Sequence, residues 1–285
     1  MRKLQILILL LFLFTNAYSQ KYAATNDYTP VLNTYNFFLV FGGEDGSSVK
    51  LDNRGLIGEM EFIAFPGTVF EITEVAEFED RNLKYYKVKT DEYKYEGDFY
   101  VDSRMVTTSD KKPEPRKIVK PDKEEVLKLM KSLIGFPYMW GGNYAYGIYP
   151  MLNYYQPKNE INETTEALWI LKGVDCSGLL YQTTSGLTPR NTSSLLSFGN
   201  PVDIEDKSLE EIIPLLKPLD LIVIKGHVVI VLDESTVIES SPTKGVHTTE
   251  LLTRLSNIMN DCKPVNEFGK RAWKEKEFTI RRWIE

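Results

Sequence analysis

Cysteine and histidine are scarce in this 285-residue chain, which contains only two of each. Two scattered cysteines and two histidines form no credible metal-binding pattern, so we expect neither a metal nor another cofactor. Positive charge is not in excess either, because the formal net charge is -6. Nucleic-acid binding depends on clustered Lys and Arg, so this acidic, aromatic-rich sequence argues against a nucleic-acid partner.

Long apolar runs are also rare, and the longest covers residues 4–14 at the N-terminus. It follows a basic start and precedes the small residues of Ala17-Tyr18-Ser19, which is typical of a signal peptide spanning 1–19. The alternative is an uncleaved anchor, but a spanning helix needs about 20 apolar residues and this run is shorter. We therefore expect cleavage before Gln20, no stable membrane span, and export to the periplasm or out of the cell.

Two domains suit a chain of this length, since a domain usually contains about 100–200 residues. Residues 20–110 contain short alternating runs such as 85–90, separated by polar turns, and this pattern predicts a small all-β domain. These runs resemble the bacterial SH3-like barrels attached to wall enzymes, although another small β domain remains possible. A charged stretch with three prolines, 111–121, predicts an extended linker before the second domain, 122–285.

Cys176 lies where the sequence predicts the start of a short helix that Gly186 would end. Unpaired backbone N–H groups at a helix N-terminus favour a thiolate, which is the reactive form of cysteine. The same groups can stabilise the oxyanion of a tetrahedral intermediate. The alternative is a buried structural cysteine, which is the commonest fate of a free thiol.

A possible base, His227, begins the second strand of a predicted hairpin that is followed by a third strand over 236–239. If the turn into that third strand is centred on Asp233, Glu239 lies directly across from His227. A carboxylate there would hold the imidazole in the tautomer that a nucleophilic cysteine needs. Taken singly, a satisfied strand histidine and a solvated edge carboxylate are equally good interpretations.

Four segments of the chain together resemble the NlpC-type cell-wall peptidases, a compact papain-like family of cysteine enzymes. The segments are Pro-Tyr-Met-Trp-Gly-Gly at 137–142, Asp-Cys-Ser-Gly-Leu at 175–179, Pro189-Arg190, and Leu219-Asp220-Leu221 with His227-Val228. The resemblance covers about residues 123–255 and implies an α+β catalytic domain with N-terminal helices packed on an antiparallel sheet. An all-β SH3-like barrel would precede it.

The resemblance also implies an activity: hydrolysis of the bond between γ-D-glutamate and a diamino acid in peptidoglycan stem peptides. Cys176 would be the nucleophile, His227 the base and Glu239 the third member of the triad, a position usually held by His, Asn or Gln. Tyr138 would assist the oxyanion, and the residues expected to contact substrate are Asp175, Ser177, Arg190 and Thr192. In some relatives the aspartate pairs with a free N-terminal L-alanine amine. The expected partner is therefore peptidoglycan or a muropeptide, bound by a monomer.

Several features depart from the family pattern. Leu219 replaces a usual glycine, which we expect to require a small backbone change. The segment 143–173 is an insertion rich in tyrosine, and we expect it to wall or cover the substrate groove, with a surface excursion as the alternative. His247 is expected to be an ordinary exposed histidine and Cys262 a free thiol. A last strand over 278–284 should return to the sheet with its two arginines on a solvated edge.

Two other functions remain open at this point. The chain could be a non-catalytic wall-binding protein, although a degenerate enzyme would be expected to lose Cys176, His227 or both. It could also be an acyltransferase or amidase that uses the same fold on another substrate, because thiol chemistry is general and the pocket selects the substrate.

Overall fold

A computed structural model describes residues 21–78, 83–269 and 276–284, so the predicted signal peptide lies outside the described residues. The described residues adopt a mixed α and β structure that is built mainly on two sheets of seven strands, and within these residues every strand pair but one is antiparallel. The first sheet comes from the N-terminal third of the chain, and the second comes from the C-terminal half.

The first sheet and its connections contain β1 (Tyr22–Thr25), β2 (Thr29–Leu32), α1 (Phe37–Val40), β3 (Phe41–Gly42), β4 (Ser48–Val49), β5 (Met60–Ala64), β6 (Val69–Phe78), β7 (Leu83–Lys89), β8 (Phe99–Asp102) and β9 (Val106–Ser109). The strand order of this sheet is β5-β2-β8-β7-β6-β1-β9, and β3 pairs separately with β4. The predicted strand at 85–90 corresponds to β7. The one-turn helix α1 is a departure from the all-β expectation, and an SH3-like barrel stays a prediction.

The rest of the chain contains α2 (Lys123–Ser132), β10 (Asn143–Tyr144), α3 (Met151–Tyr154), α4 (Glu163–Trp169), β11 (Gly173–Val174), α5 (Cys176–Thr183), α6 (Thr192–Leu195), β12 (Asn200–Pro201), α7 (Leu209–Ile212), β13 (Leu221–Ile224), β14 (His227–Val231), β15 (Thr236–Ser241), β16 (Gly245–Glu250), α8 (Leu251–Asp261), β17 (Lys263–Pro264) and β18 (Glu277–Arg282). The strand order of the second sheet is β12-β18-β13-β14-β15-β16, and β17 pairs with β18 in parallel.

Successive residues of a strand point to opposite faces of the sheet. In β13 both sets of residues are buried, so this strand has an apolar cluster on each face. Leu221 and Val223 pack into one cluster with residues of α2 and α5, such as Met130 and Leu179. Ile222 points the other way, into a cluster that includes residues of α8. Burial on both faces explains why β13 and β14 are almost continuously apolar in sequence.

The last strand corrects one expectation. β18 returns to the sheet as predicted, but it lies between β12 and β13 rather than at an edge. Arg281 is therefore buried and donates hydrogen bonds to the backbone carbonyls of Phe198 and Gly199. Arg282 pairs with the buried Asp220 carboxylate. The prediction of a solvated edge for the two arginines is wrong, because strand order depends on contacts that are remote in sequence.

The insertion 143–173 packs against the first sheet. Its Tyr155 and Trp169 are fully buried in a cluster that also contains Phe37 and Phe41. The Asn143 side chain accepts from the backbone N–H of Ile63 and donates to its C=O, both at 2.8 Å, as a neighbouring strand would. The insertion therefore shares an apolar core with the first sheet.

The predicted linker 111–121 contains no helix or strand, and its Arg116 touches both halves of the chain. Arg116 donates to the Glu92 carboxylate at 2.7 Å and to the backbone carbonyl of Ser185 at 2.9 Å. The hydroxyl of Tyr181 also bonds to Glu92, at 3.3 Å. These contacts fix the first sheet beside α5, the helix that carries Cys176.

Candidate active site

Cys176 is the first residue of α5, as the sequence predicts. Asp175 caps the helix by accepting from the backbone N–H of Gly178 at 2.7 Å. Gly178 is required here, because an added Cβ would lie 1.9 Å from the carbonyl oxygen of Gly142. The close approach of α5 to this loop leaves Cys176 only 7% exposed, and its side chain lines a cavity.

His227 lies close enough to Cys176 for the cysteine to act on the pKa of its imidazole. Its Nε2 is 2.6 Å from Oε2 of Glu239, which leaves Nδ1 as the ring nitrogen available to the thiol. The three predicted triad residues are therefore brought together. They come from α5, β14 and β15 and are 51 and 12 positions apart in sequence.

The predicted strand register is wrong by two residues. The pairs Ile230–Ile238 and Val231–Val237 centre the turn on Glu234, not on Asp233. Glu239 is therefore diagonal to His227 rather than directly opposite. A shift of two residues keeps every side chain on its original face of the sheet, so the two side chains still meet.

The charges at this site reinforce one another. Burial lowers the pKa of His227, but the interactions with Cys176 and Glu239 outweigh burial and raise the pKa to about 9. Burial raises the pKa of Glu239, but its bonds to His227 and Arg254 outweigh burial and lower the pKa to about 2. An ionised Glu239 and a protonated His227 therefore coexist at neutral pH.

Two residues around Glu239 were missed by sequence reasoning. Arg254 of α8 donates from Nε to Oε1 at 2.6 Å and from Nη2 to Oε2 at 2.9 Å. His247 lies directly across from Glu239 in β16, with its Nε2 3.9 Å from Oε1. The expectation that His247 is an ordinary exposed histidine is therefore wrong. No local pattern marks Arg254, because its position depends on how α8 folds back onto the sheet.

Arg190 is buried and uses all of its guanidinium nitrogens. Its partners are both oxygens of Asp175, the Ser177 hydroxyl, the Asn143 side-chain oxygen and the Gly142 carbonyl. Burial lowers the pKa of Arg190, but the Asp175 carboxylate more than offsets this and holds the pKa above its usual value. Asp175 also accepts from the backbone N–H of Gly141. In these contacts Arg190 and Asp175 support the loops around Cys176, and substrate contact by either stays a prediction.

The cavity beside Cys176 has a volume of about 430 Å³. Predicted site residues that line it are Tyr138, Asp175, Cys176, Ser177, Arg190 and Thr192. Burial, followed by the nearby Asp175 and Cys176, raises the pKa of Tyr138, so its hydroxyl keeps its proton. A neutral hydroxyl beside a nucleophile can donate a hydrogen bond to an oxyanion.

The opposite wall comes from the first sheet and its loops, which sequence reasoning did not connect with the site. The residues contributed there are Asn33, Arg54, Gly58, Met60, Glu61, Tyr93 and Tyr95. Asn33 donates to Glu61 at 2.9 Å, and burial raises the pKa of that carboxyl. No residue of 143–173 lines this cavity. The expectation that the insertion walls or covers the groove is therefore wrong, because its large apolar side chains pack into the core of the first sheet instead.

Two further expectations concern Leu219 and Cys262. Leu219 has a φ of 71°, so it keeps the left-handed backbone that favours glycine instead of altering it. Cys262 is a free thiol, as is Cys176. Across the described residues, no group of three His, Cys, Asp or Glu side chains is arranged to hold a metal, and no helix has the length and apolar character needed to cross a membrane.

Comparison with solved structures gives remote likenesses. A crystal structure of an NlpC/P60 family protein from Bacillus cereus ATCC 10987 aligns with a TM-score of 0.35 and 17% identity. The alignment covers 93% of this chain, and this chain spans 64% of that protein's length. No family model and no curated protein matches the sequence. A likeness of this strength assigns no activity, so the function is inferred from the site itself.

Proposed function

We propose that this chain is an exported cysteine peptidase that hydrolyses the amide between γ-D-glutamate and a diamino acid in peptidoglycan stem peptides. The observation that carries the proposal is that Cys176, which lines a cavity, lies beside His227, whose Nε2 is 2.6 Å from the Glu239 carboxylate. A helix N-terminus beneath the sulfur and a protonated imidazole beside it both favour the thiolate.

The chemistry follows from this ion pair. The Cys176 thiolate attacks the amide carbonyl, forming a C–S bond and an oxyanion that the Tyr138 hydroxyl and the first amides of α5 can stabilise. Collapse breaks the C–N bond, and the leaving amine takes the proton from His227. A water then gives a proton to His227 and attacks the thioester. Release of the acid restores the thiolate and the imidazolium.

The cavity favours a short peptide with charged groups. Its volume of about 430 Å³ is typical of sites for small ligands, and ionisable side chains occur on both walls. Glu61 lies on the wall formed by the first sheet, whereas Arg54 contributes a cation that rests over the ring of Trp140. Stem peptides carry both carboxylates and free amines, so this mixture of charges suits them.

Digestion of a defined peptide tests the proposal. Wild-type protein should release L-Ala-D-Glu from L-Ala-γ-D-Glu-diaminopimelate, identified by mass spectrometry, and the Cys176→Ala variant should not. The same peptide with its N-terminal amine blocked by a muramyl group separates a fragment-recycling enzyme from one that cuts intact wall. A Cys176→Ala protein that still cleaved at the wild-type rate would refute the mechanism. Transfer of the acyl group to an added amine, without hydrolysis, would identify an acyltransferase.

Export is tested separately, since it does not depend on the chemistry. N-terminal sequencing of the mature protein should begin at Gln20, and the protein should be found in the periplasmic or culture fraction. A mature protein that retained Met1 and remained in the cytosol would contradict the predicted signal peptide.

A further inference from the structure

Glu239 is an unusual partner for a catalytic histidine because it holds two cationic groups at once. The residue is only 4% exposed, and its Oε2 accepts from both His227 and Arg254. Arg254 also bonds Oε1, which makes a two-point ion pair of the strong kind that a planar guanidinium forms with a carboxylate. The two cationic side chains therefore lie within two hydrogen-bond lengths of each other.

A buried carboxylate needs a permanent partner, and His227 cannot be one. In the chemistry proposed above, His227 is neutral after it gives its proton to the leaving amine. A buried carboxylate without a counter-charge is costly. Because Oε2 of Glu239 is 2.6 Å from Nε2 of His227, an unpaired Glu239 could take the proton of the imidazolium each time the imidazolium re-formed. A guanidinium, by contrast, stays charged up to a pH of about 12. Arg254 can therefore keep Glu239 ionised through the whole cycle.

We propose that Arg254 is a positioning residue that fixes Glu239 as an anion and offsets part of its charge, so that Glu239 orients His227 throughout the cycle and still lets the imidazolium release its proton to the leaving amine. Arg254 acts through Glu239 rather than on the substrate. The proposal rests on the proposed function for its role in catalysis, but the electrostatic coupling it requires can be measured without any substrate.

The coupling predicts effects of opposite sign for the two partners. Replacing Glu239 by Gln leaves the Arg254 charge beside His227, so the pKa of His227 should fall by about 2 units. Replacing Arg254 by Met leaves the full carboxylate charge beside the imidazole, so the pKa should rise by about 1 unit. The double variant Glu239→Gln/Arg254→Met removes both charges, and its His227 pKa should lie at least about 0.5 units above that of the Glu239→Gln variant.

The chain is well suited to this measurement, because it contains only two histidines. Both can be followed by NMR titration of protein labelled in its histidine side chains, and a His247→Gln variant assigns the His227 signal. That variant also isolates the effect of His247. The other titratable groups that face the His227–Glu239 pair are Cys176 on α5 and Arg254 on α8, and the His247→Gln variant retains both of them.

Controls distinguish a charge effect from simple unfolding. Arg254→Lys keeps the positive charge and should leave the His227 pKa within about 0.5 units of wild type. The double variant leaves no unpaired buried charge at this site, so it should fold even if a single variant does not. Equal His227 pKa values in Glu239→Gln and in the double variant would overturn the proposal. So would an unchanged pKa in a folded Arg254→Met protein.

Activity gives a second readout. If the peptide is hydrolysed, the alkaline limb of kcat/KM should move with the His227 pKa in each variant, whereas KM should change little because Arg254 does not line the cavity. If no peptide is hydrolysed but the titrations follow the predicted order, the proposed function fails and the inference about Arg254 stands.

Discussion

Arg190 offers a sharp test of how the candidate site is held together, since its guanidinium is buried beneath the cavity among five acceptors. Replacing it by Met keeps a side chain of similar length but removes the charge. The carboxylate of Asp175 would then be buried without its ion partner. Breaking a buried pair in this way typically costs about 3–5 kcal/mol. We expect that loss in the free energy of unfolding.

Urea unfolding and thermal melting of purified protein measure the effect. A loss of 3–5 kcal/mol corresponds to a fall in Tm of about 10 °C for a protein of this size. Arg54→Met is the matched control, because Arg54 lines the same cavity but its side chain is 56% exposed in the pair with Asp52. Exposed pairs contribute about 0–1 kcal/mol, so this control should stay near wild type. An Arg190→Met protein within about 1 kcal/mol of wild type would refute the supporting role given to Arg190.

Three further outcomes are expected. The kcat/KM for peptide hydrolysis should fall about tenfold per unit as the pH rises beyond about 9, because the raised pKa of His227 keeps its proton available below that value; a limb near pH 6.5 would contradict this. Tyr138→Phe should lower kcat about 100-fold through loss of an oxyanion donor, and a change below about threefold in steady-state kinetics would exclude that role. Gly178→Ala should destabilise the fold by about 3 kcal/mol in urea unfolding, whereas Gly58→Ala, whose Cβ would meet only ordinary contacts, should be neutral.

Stability should also depend on pH through the same pair. The pKa of His227 is raised from 6.5 to about 9, so its contribution is complete below pH 6.5 and is lost as the pH rises through 9. The pKa of Glu239 is depressed to about 2, so its contribution is present above pH 4.5 and is lost only as the pH falls through 2. The two windows overlap between pH 4.5 and 6.5, where both contributions are complete.

Local features of the site could be predicted because they depend on neighbours in sequence. Asp175 and Gly178 set the start of α5 and place Cys176 at its N-terminus. The short turn at 225–226 fixes the β13–β14 pair and so the position of His227. The parity of strand residues put Glu239 on the correct face even though the expected register was off by two.

Features that depend on packing between distant segments could not be predicted. Arg254 reaches Glu239 because α8 folds back onto the sheet, and α8 looks like any amphipathic helix in sequence. The cavity wall formed by Glu61, Tyr93 and Tyr95 depends on how the first sheet docks beside α5. The insertion packs into the core of that sheet, whereas the abundance of tyrosine in its sequence favours a lid.

Alkylation of Cys176 by iodoacetamide, followed across pH by digestion and mass spectrometry of the peptides that contain each cysteine, tests the central claim most directly. Cys262 provides an internal reference, because burial raises the pKa of its thiol and no histidine activates it. Cys176 should react at neutral pH at least about tenfold faster in wild type than in the His227→Gln variant, and faster than Cys262. Equal rates in wild type and His227→Gln would show that the imidazole does not ionise the sulfur.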